Sequence, residues 1–313
     1  MHLDRRSVLT LLLAALATWM GGRSFAENAA GSNFKAVYGD PKLRQRFYLF
    51  LRNVFHLYPE DRFHRLILEV TTRYDGDAEI YRALASRLPE IQPRLAAITY
   101  AMPALAKQKE EMASETAELL GPVSSVDGYV EIGTPGRYVK ALRRRIKIAG
   151  AVFLANDYAP GLSLADIAER GGVRQAGSYV ALGNYDAFDA ARIPDASIDL
   201  ITNYIGFHHA PPDRLDGFVD SLHRVLAPKG RLVVRDHDVT DADMEVLVAL
   251  AHDVFNAGVG LSWEENHAQI RHFRSVKALE DYLATRGFAR SGGERLQAGD
   301  PTKNTLLMFL KQS

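Results

Sequence analysis

Two periods of apolar and polar residues divide the chain near Gly128. Before it the spacing is helical: Phe47, Leu51, Val54, Phe55 and Tyr58 fall on one face, and Pro59 marks a stop. "EDRFHRLILEV" and "DAEIYRALASRL" predict two further helices, with "YDGD" as the turn between them. A fourth helix is predicted around "ALAKQKEEMASETAELL", ending at Gly121 and Pro122. Residues 27–122 are thus expected to form a helical region that packs on the C-terminal two thirds of the chain. Its aromatic stripe is either core or one wall of a substrate pocket.

From Gly128 the pattern alternates between strand and helix. "GYVEIG", "AVFLANDY", "SYVALGN", "SIDLITNYIGF" and "RLVVRDHDV" predict five strands. Between them "RYVKALRRRIKI", "SLADIAERGG" and "RLDGFVDSLHRVLAPKG" predict helices, the last stopped by Pro228 and Gly230. Such alternation requires right-handed crossovers and a parallel sheet covered on both faces, so the expected class is α/β with a doubly wound sheet over residues 123–313. After the fifth strand come the helix "ADMEVLVALAHDVFNAG", the polar and aromatic segment "LSWEENHAQIRHF", the helix "SVKALEDYLATRG", and final strands in "FARSGGERLQ" and "NTLLMFLKQ". Residues 240–274 break the rhythm and predict a helical cap over the carboxyl edge of the sheet.

Composition narrows the classes. With 313 residues and 47% apolar content, the chain can bury one large core or two modest ones. Lysine plus arginine and aspartate plus glutamate stand at 38 each, so no overall field draws the protein to nucleic acid. The absence of cysteine excludes a disulfide framework, a cysteine nucleophile and a thiolate metal site. The first 26 residues carry Arg5 and Arg6, an apolar run from Val8 to Met20, and a small-x-small pattern at Ser24 and Ala26. They resemble a twin-arginine export signal, and the apolar run is shorter than the about 20 residues of a membrane span. The expectation is an exported, periplasmic or membrane-associated protein whose signal touches the membrane in passing. If the signal is not used, the protein is cytoplasmic.

In an open parallel sheet, ligands sit outside the carboxyl ends of the strands. Glu131 and Gly133 follow the first strand, where a residue without a side chain allows close approach and the next helix offers free amides. Asp157 ends the second, where a carboxylate can accept both hydroxyls of a ribose. Asp189 follows the third and can accept an exocyclic amine, with Phe188 packing on the ring. His208, His209 and His237 follow the fourth and fifth strands, where a base is useful. Asp236, His237 and Asp238 are metal-ligand types, but neighbours on a strand point to opposite faces. They fall short of the three converging ligands a site requires, and no metal is expected. In the cap, Trp263, Glu264, Glu265, His267, Arg271 and His272 suit either a solvated helix or a substrate-recognising lid.

This constellation resembles the class I S-adenosylmethionine-dependent methyltransferases, particularly the type 11 group. The strongest match is "DAARIPDASIDLITNYIGFHHAPPDRLDGFVDSLHRVLAPKGRLVVRDH", Asp189 to His237. The resemblance runs from Gly128 to the C-terminus and implies a seven-stranded, mostly parallel Rossmann-like methyltransferase sheet with S-adenosylmethionine as cofactor. By position it places Glu131, Gly133 and Gly136 at the methionine part, Asp157 at the ribose, Asp189 at the adenine, and Asn203 and Tyr204 at the methyl-transfer site. The family's glycine loop holds Pro135 and Arg137 here. Either Arg137 pairs with the cofactor carboxylate, as a guanidinium suits a two-oxygen partner, or the loop has lost its ligand and Arg137 faces solvent. The resemblance implies methyl transfer to a small organic acceptor. The alternative is an exported, catalytically inactive protein that keeps the fold for binding or as a scaffold.

Overall fold

The computed structural model describes residues 31–92 and 102–313. The twin-arginine-like segment lies outside the described residues. The helical region comprises α1 (Asn33–Gly39), α2 (Pro41–Phe50), α3 (Glu60–Arg73), α4 (Asp77–Ile91) and α5 (Met102–Leu120). One π-helical turn, Leu51–Phe55, extends α2. The starts have local causes. Asp40 accepts the amides of Lys42 and Leu43, with Pro41 as first residue of α2, and Ser32 accepts the amide of Lys35. Phe47, Leu51, Phe55 and Tyr58 are buried, as their spacing predicts.

The α/β part runs β1 (Ser125–Ile132), α6 (Val139–Leu142), β2 (Lys147–Asn156), α7 (Leu164–Arg170), β3 (Ser178–Ala181), β4 (Ile198–Asn203), α8 (Pro212–Val225) and β5 (Leu226–His237). It continues through α9 (Ala242–Gly258), α10 (Trp263–His267), α11 (Val276–Thr285), β6 (Phe288–Leu296) and β7 (Asn304–Lys311). The seven strands are ordered β3-β2-β1-β4-β5-β7-β6, and β7 is antiparallel to both its neighbours. The order of strands reverses between β1 and β4, the switch point at which such sheets open a crevice.

One predicted element is corrected. "RYVKALRRRIKI" forms a single turn of helix, not a long basic one, because Lys147 and Ile148 already belong to β2. The cause is β1, which begins at Ser125 and must be matched in register, Ser125 against Lys147. A shift in register between Asp127 and Tyr129 accommodates Gly128, at φ 81°, where a Cβ would lie 2.3 Å from the Ser197 carbonyl oxygen.

Among the described residues, three apolar clusters hold the fold. One face of the sheet packs Val130, Ile132 and Ile201 against Phe218 and Leu222 of α8 and Leu279 and Leu283 of α11. The other packs Tyr129, Leu154 and Leu200 against Met112 and Ala113 of α5 and Val139 and Leu142 of α6. The third cluster joins α1–α4 to α9, whose Met244, Leu247, Val248, Leu250, Ala251 and Val254 share it. The helical region is therefore a partner of the 240–274 insertion, and the two together stand over the strand ends.

Candidate functional site

A cavity of about 330 Å³ lies at these carboxyl ends, within the size range of small-molecule sites. Gly133, Asn156, Asp157 and Tyr204 line its sheet side, and Phe50, Val54, Phe55 and Leu57 form an apolar wall opposite. The aromatic stripe of the N-terminal region is thus both core and wall. His208, His209, His237 and His252 gather at one end of the cavity, with Asn256 and Gln269 of the cap beside them.

The loop after β1 is built from inside. Glu131 is fully buried and accepts from the Tyr138 amide at 3.2 Å, from the Tyr129 hydroxyl at 3.2 Å and from the Thr134 hydroxyl. Burial raises its pKa, and the bonds from Thr134 and Tyr138 oppose the rise. Gly133 takes φ 83°, and a Cβ there would lie 2.3 Å from the Ile205 side chain. Gly136, at φ 96°, turns towards Ala176 and Leu154. Only Gly133 of these three reaches the cavity, which corrects the placement of Glu131 and Gly136 against a ligand.

Arg137 does not face solvent, and its guanidinium is turned to a partner within the protein, with Nη1 left without a hydrogen bond. It is buried, with Nε 2.5 Å and Nη2 2.9 Å from the two carboxylate oxygens of Glu169 on α7. The two-oxygen partner expected for this guanidinium is therefore supplied by the protein. Helix α7 is itself fixed by a capping box between Ser163 and Asp166 and by Gly171 in the left-handed conformation at its end. Close by, Lys109 of α5 donates to the Ala168 carbonyl at 2.6 Å, and burial brings its pKa down to about 8.

Asp157 is exposed on the cavity, with its carboxyl pushed up to about 6 by desolvation, which a backbone hydrogen bond from Asn184 opposes. Phe188 and Asp189 are corrected. Phe188 packs edge-on against Phe218 in the sheet core at 5.5 Å, and Asp189 caps a turn by accepting the Ala191 amide at 2.9 Å. Neither lines the cavity. Asn203 lies buried behind it, donating to the Gly206 carbonyl at 3.1 Å, with its Oδ1 unpartnered. Tyr204 lines it, shares a hydrogen bond of 2.7 Å with Thr116, and has its pKa raised by burial.

His208 Nδ1 stands 2.6 Å from Asp236, a carboxylate that also accepts the amides of Phe207 and His237 at 2.9 Å. Burial alone would raise Asp236, but the His208 ring outweighs it and holds the group at about 2. His237 is brought down to about 4 by burial and then by the His208 ring. Burial and the same ring hold His209 and His252 well below the usual imidazole range. Asp238 accepts the Val276 amide at 2.9 Å, so "RDHD" places its two acids on separate structural tasks. His252 was not visible as a candidate in the sequence. It sits within an amphipathic helix whose apolar period gave it no distinction, and only the fold brings it to His208.

The cap's polar segment serves mainly to dock the two parts. Trp263 packs on Tyr81 at 5.4 Å, Glu264 pairs with Arg82, Glu265 closes a capping box with Ser262, and Arg271 pairs with Asp253 at 2.7 Å. Of this segment Gln269 reaches this cavity, while Trp263, His267, Arg271 and His272 line a second one beside Asp77 and Asp253.

Residues 130–234, about a third of the chain, match the family described as "Methyltransferase domain", type 11. No curated protein sequence matches the chain. Among solved structures, it is similar to an O-methyltransferase family 2 protein from Planctomyces limnophilus in complex with apigenin, at 15% identity, covering 97% of this chain and 92% of that one, with TM-score 0.48. It is also similar to 1,6-didemethyltoxoflavin-N1-methyltransferase from Burkholderia thailandensis with bound 1,6-didemethyltoxoflavin and S-adenosylhomocysteine, at 16% identity, covering 67% and 79%, with TM-score 0.44. A third is an S-adenosylmethionine dependent methyltransferase from Mesorhizobium loti, at 15% identity, covering 66% and 100%, with TM-score 0.45. Nothing among them favours an exported, inactive binding protein. Residues 130–234 thus match a methyltransferase domain, and they lie in a seven-stranded Rossmann-like sheet whose strand order opens a crevice at the switch point.

Proposed function

We propose that the protein transfers a methyl group from S-adenosylmethionine to a small organic acceptor. The observation that carries this reading is the continuity of one cavity from Gly133 and Asp157 to the histidine cluster. The reading is supported at both parts of the cofactor: Asp157 offers an exposed carboxylate to the two ribose hydroxyls, and Gly133 presents backbone without a side chain to the methionine part. Towards the centre, the unpartnered Oδ1 of Asn203 leaves an acceptor behind the cavity wall. S-adenosylmethionine, when bound, supplies a sulfonium methyl group open to in-line displacement. The chain's own part is to hold donor and acceptor in line, to exclude water with the wall of Phe50, Val54 and Phe55, and to take up a proton from the acceptor at the histidine end. Arg137 acts through Glu169 as a brace for the loop.

Calorimetric titration with S-adenosylhomocysteine tests the reading. Micromolar binding by the native protein, lost in Asp157→Ala, is the expected result, and no binding at millimolar ligand overturns it. For compartment we propose export through the twin-arginine-like segment. Sequencing the N-terminus of protein recovered from the producing cell is expected to begin at Glu27, and an intact Met1 in the exported fraction refutes this.

A further inference from the structure

The four imidazoles at the end of the cavity share one arrangement. His208 Nδ1 faces Asp236 at 2.6 Å, His252 Nδ1 faces the Val248 carbonyl at 2.9 Å, His209 Nδ1 faces the Ile270 carbonyl at 3.1 Å, and His237 Nδ1 faces the Thr302 carbonyl at 3.1 Å. Each of those oxygens accepts, so each Nδ1 carries a proton and Nε2 is the nitrogen each ring has left to offer a ligand. His208 Nε2 and His252 Nε2 then stand 3.2 Å apart, facing one another. Either a proton held by one ring or a metal ion held by both bridges nitrogens at this distance, and the neighbourhood selects between them.

Ring nitrogens of His208, His209 and His252 all lie within 4.8 Å of one another. Tetrahedral zinc with bonds of 2.0–2.1 Å to imidazole sets nitrogens about 3.3 Å apart, the spacing already present between His208 and His252. Bringing His209 in requires a shift of at most roughly 1.5 Å, within the reach of its side-chain torsions. The outer partners also match a metal site, in which a carboxylate or carbonyl takes the second ring N–H and fixes the tautomer. Arg271, the guanidinium whose charge reaches His209 and His252, is paired with Asp253 at 2.7 Å.

We propose that His208, His209 and His252 bind one divalent transition-metal ion of the zinc class, with its open position facing the cavity. This placement stands on the cluster alone. Its role rests on the methyl-transfer reading: there the ion would bind an acceptor hydroxyl and lower its pKa, the proton passing to Nε2 of His237, the histidine of this group left unligated. The oxygen would then form its bond to the methyl carbon as the carbon–sulfur bond breaks, with that electron pair kept by sulfur.

The test uses the untagged full chain, stripped with chelator and titrated with Co²⁺ as spectroscopic probe. One equivalent is expected to give the intense visible bands of a tetrahedral site and to be displaced by Zn²⁺. His252→Gln and His209→Gln should each weaken binding by at least ~10-fold, and Asp236→Asn by ~10–100-fold. His209 and His252 are both only partly buried and stand on different elements, so either variant keeps the test open if the other impairs folding. Titration with S-adenosylhomocysteine runs alongside: metal binding without it sinks the cofactor reading and leaves the metal site standing. No binding at millimolar Co²⁺ or Zn²⁺ by folded protein, or binding unchanged in both histidine variants, overturns the proposal.

Discussion

Asp157 combines exposure to the cavity with a carboxyl pushed up to about 6 by burial, and the two together set a pH dependence. Only the ionised carboxylate is a full acceptor for two ribose hydroxyls. Above about 6 it is ionised and affinity is flat. Below that, ligand binding must first expel a proton, so S-adenosylhomocysteine affinity should fall by up to ~10-fold per pH unit. Asp157→Asn should remove the slope, and Asp157→Ala should cost ~10–100-fold at pH 7.5, the worth of hydrogen bonds to a charged group. Calorimetry across pH 5 to 8 checks all three, and a native profile flat through pH 6 would show that the ribose sits elsewhere. Asp157 was legible because a strand end locates it within a residue or two. Arg137 was not, since its partner Glu169 is 32 residues away and buried pairing leaves no local pattern. Asp189 and Phe188 failed for a related reason: the stretch after β3 turns them into a cap and a core contact, which spacing along the chain does not reveal.

At the scale of elements, the altered loop is a brace between β1 and α7. Glu131 satisfies the loop from below, and the bidentate pair of Arg137 and Glu169 ties it sideways, both groups being out of water. Removing one partner of a buried pair leaves an uncompensated charge, which costs about 3–5 kcal/mol, whereas replacing both by apolar residues of similar volume is often neutral. Glu169→Ala should therefore lower stability in urea by about 3–5 kcal/mol, and the double variant Arg137→Met, Glu169→Leu should regain most of it. If the double variant is as unstable as the single one, the brace depends on the charges themselves. Most elements were legible because apolar period and capping residues agree, as at Ser163 and Gly171 around α7. The exception, the one-turn α6, followed from tertiary register: β2 had to start at Lys147 to match a β1 longer than its apolar run.

Across the whole molecule, the N-terminal helices and the 240–274 insertion form one body that closes over the sheet. Besides the shared apolar cluster, Tyr58 donates to the Gly258 carbonyl at 3.1 Å, Tyr81 to the Leu261 carbonyl at 2.9 Å, and Asn33 to Asp253 at 3.3 Å. Neither part can bury its apolar face alone, and α5 is shared with the sheet core. Unfolding should then be one cooperative event. Residues 27–313 contain a single tryptophan, Trp263, and it packs on Tyr81 across this junction, so its fluorescence reports the docking while circular dichroism reports all helices. In urea the two signals should move together with one midpoint, as two-state behaviour requires. A fluorescence transition at lower urea, before helix content is lost, would show that the helical region opens as a separate unit, and the cavity wall of Phe50, Val54 and Phe55 would then be a gate for the acceptor.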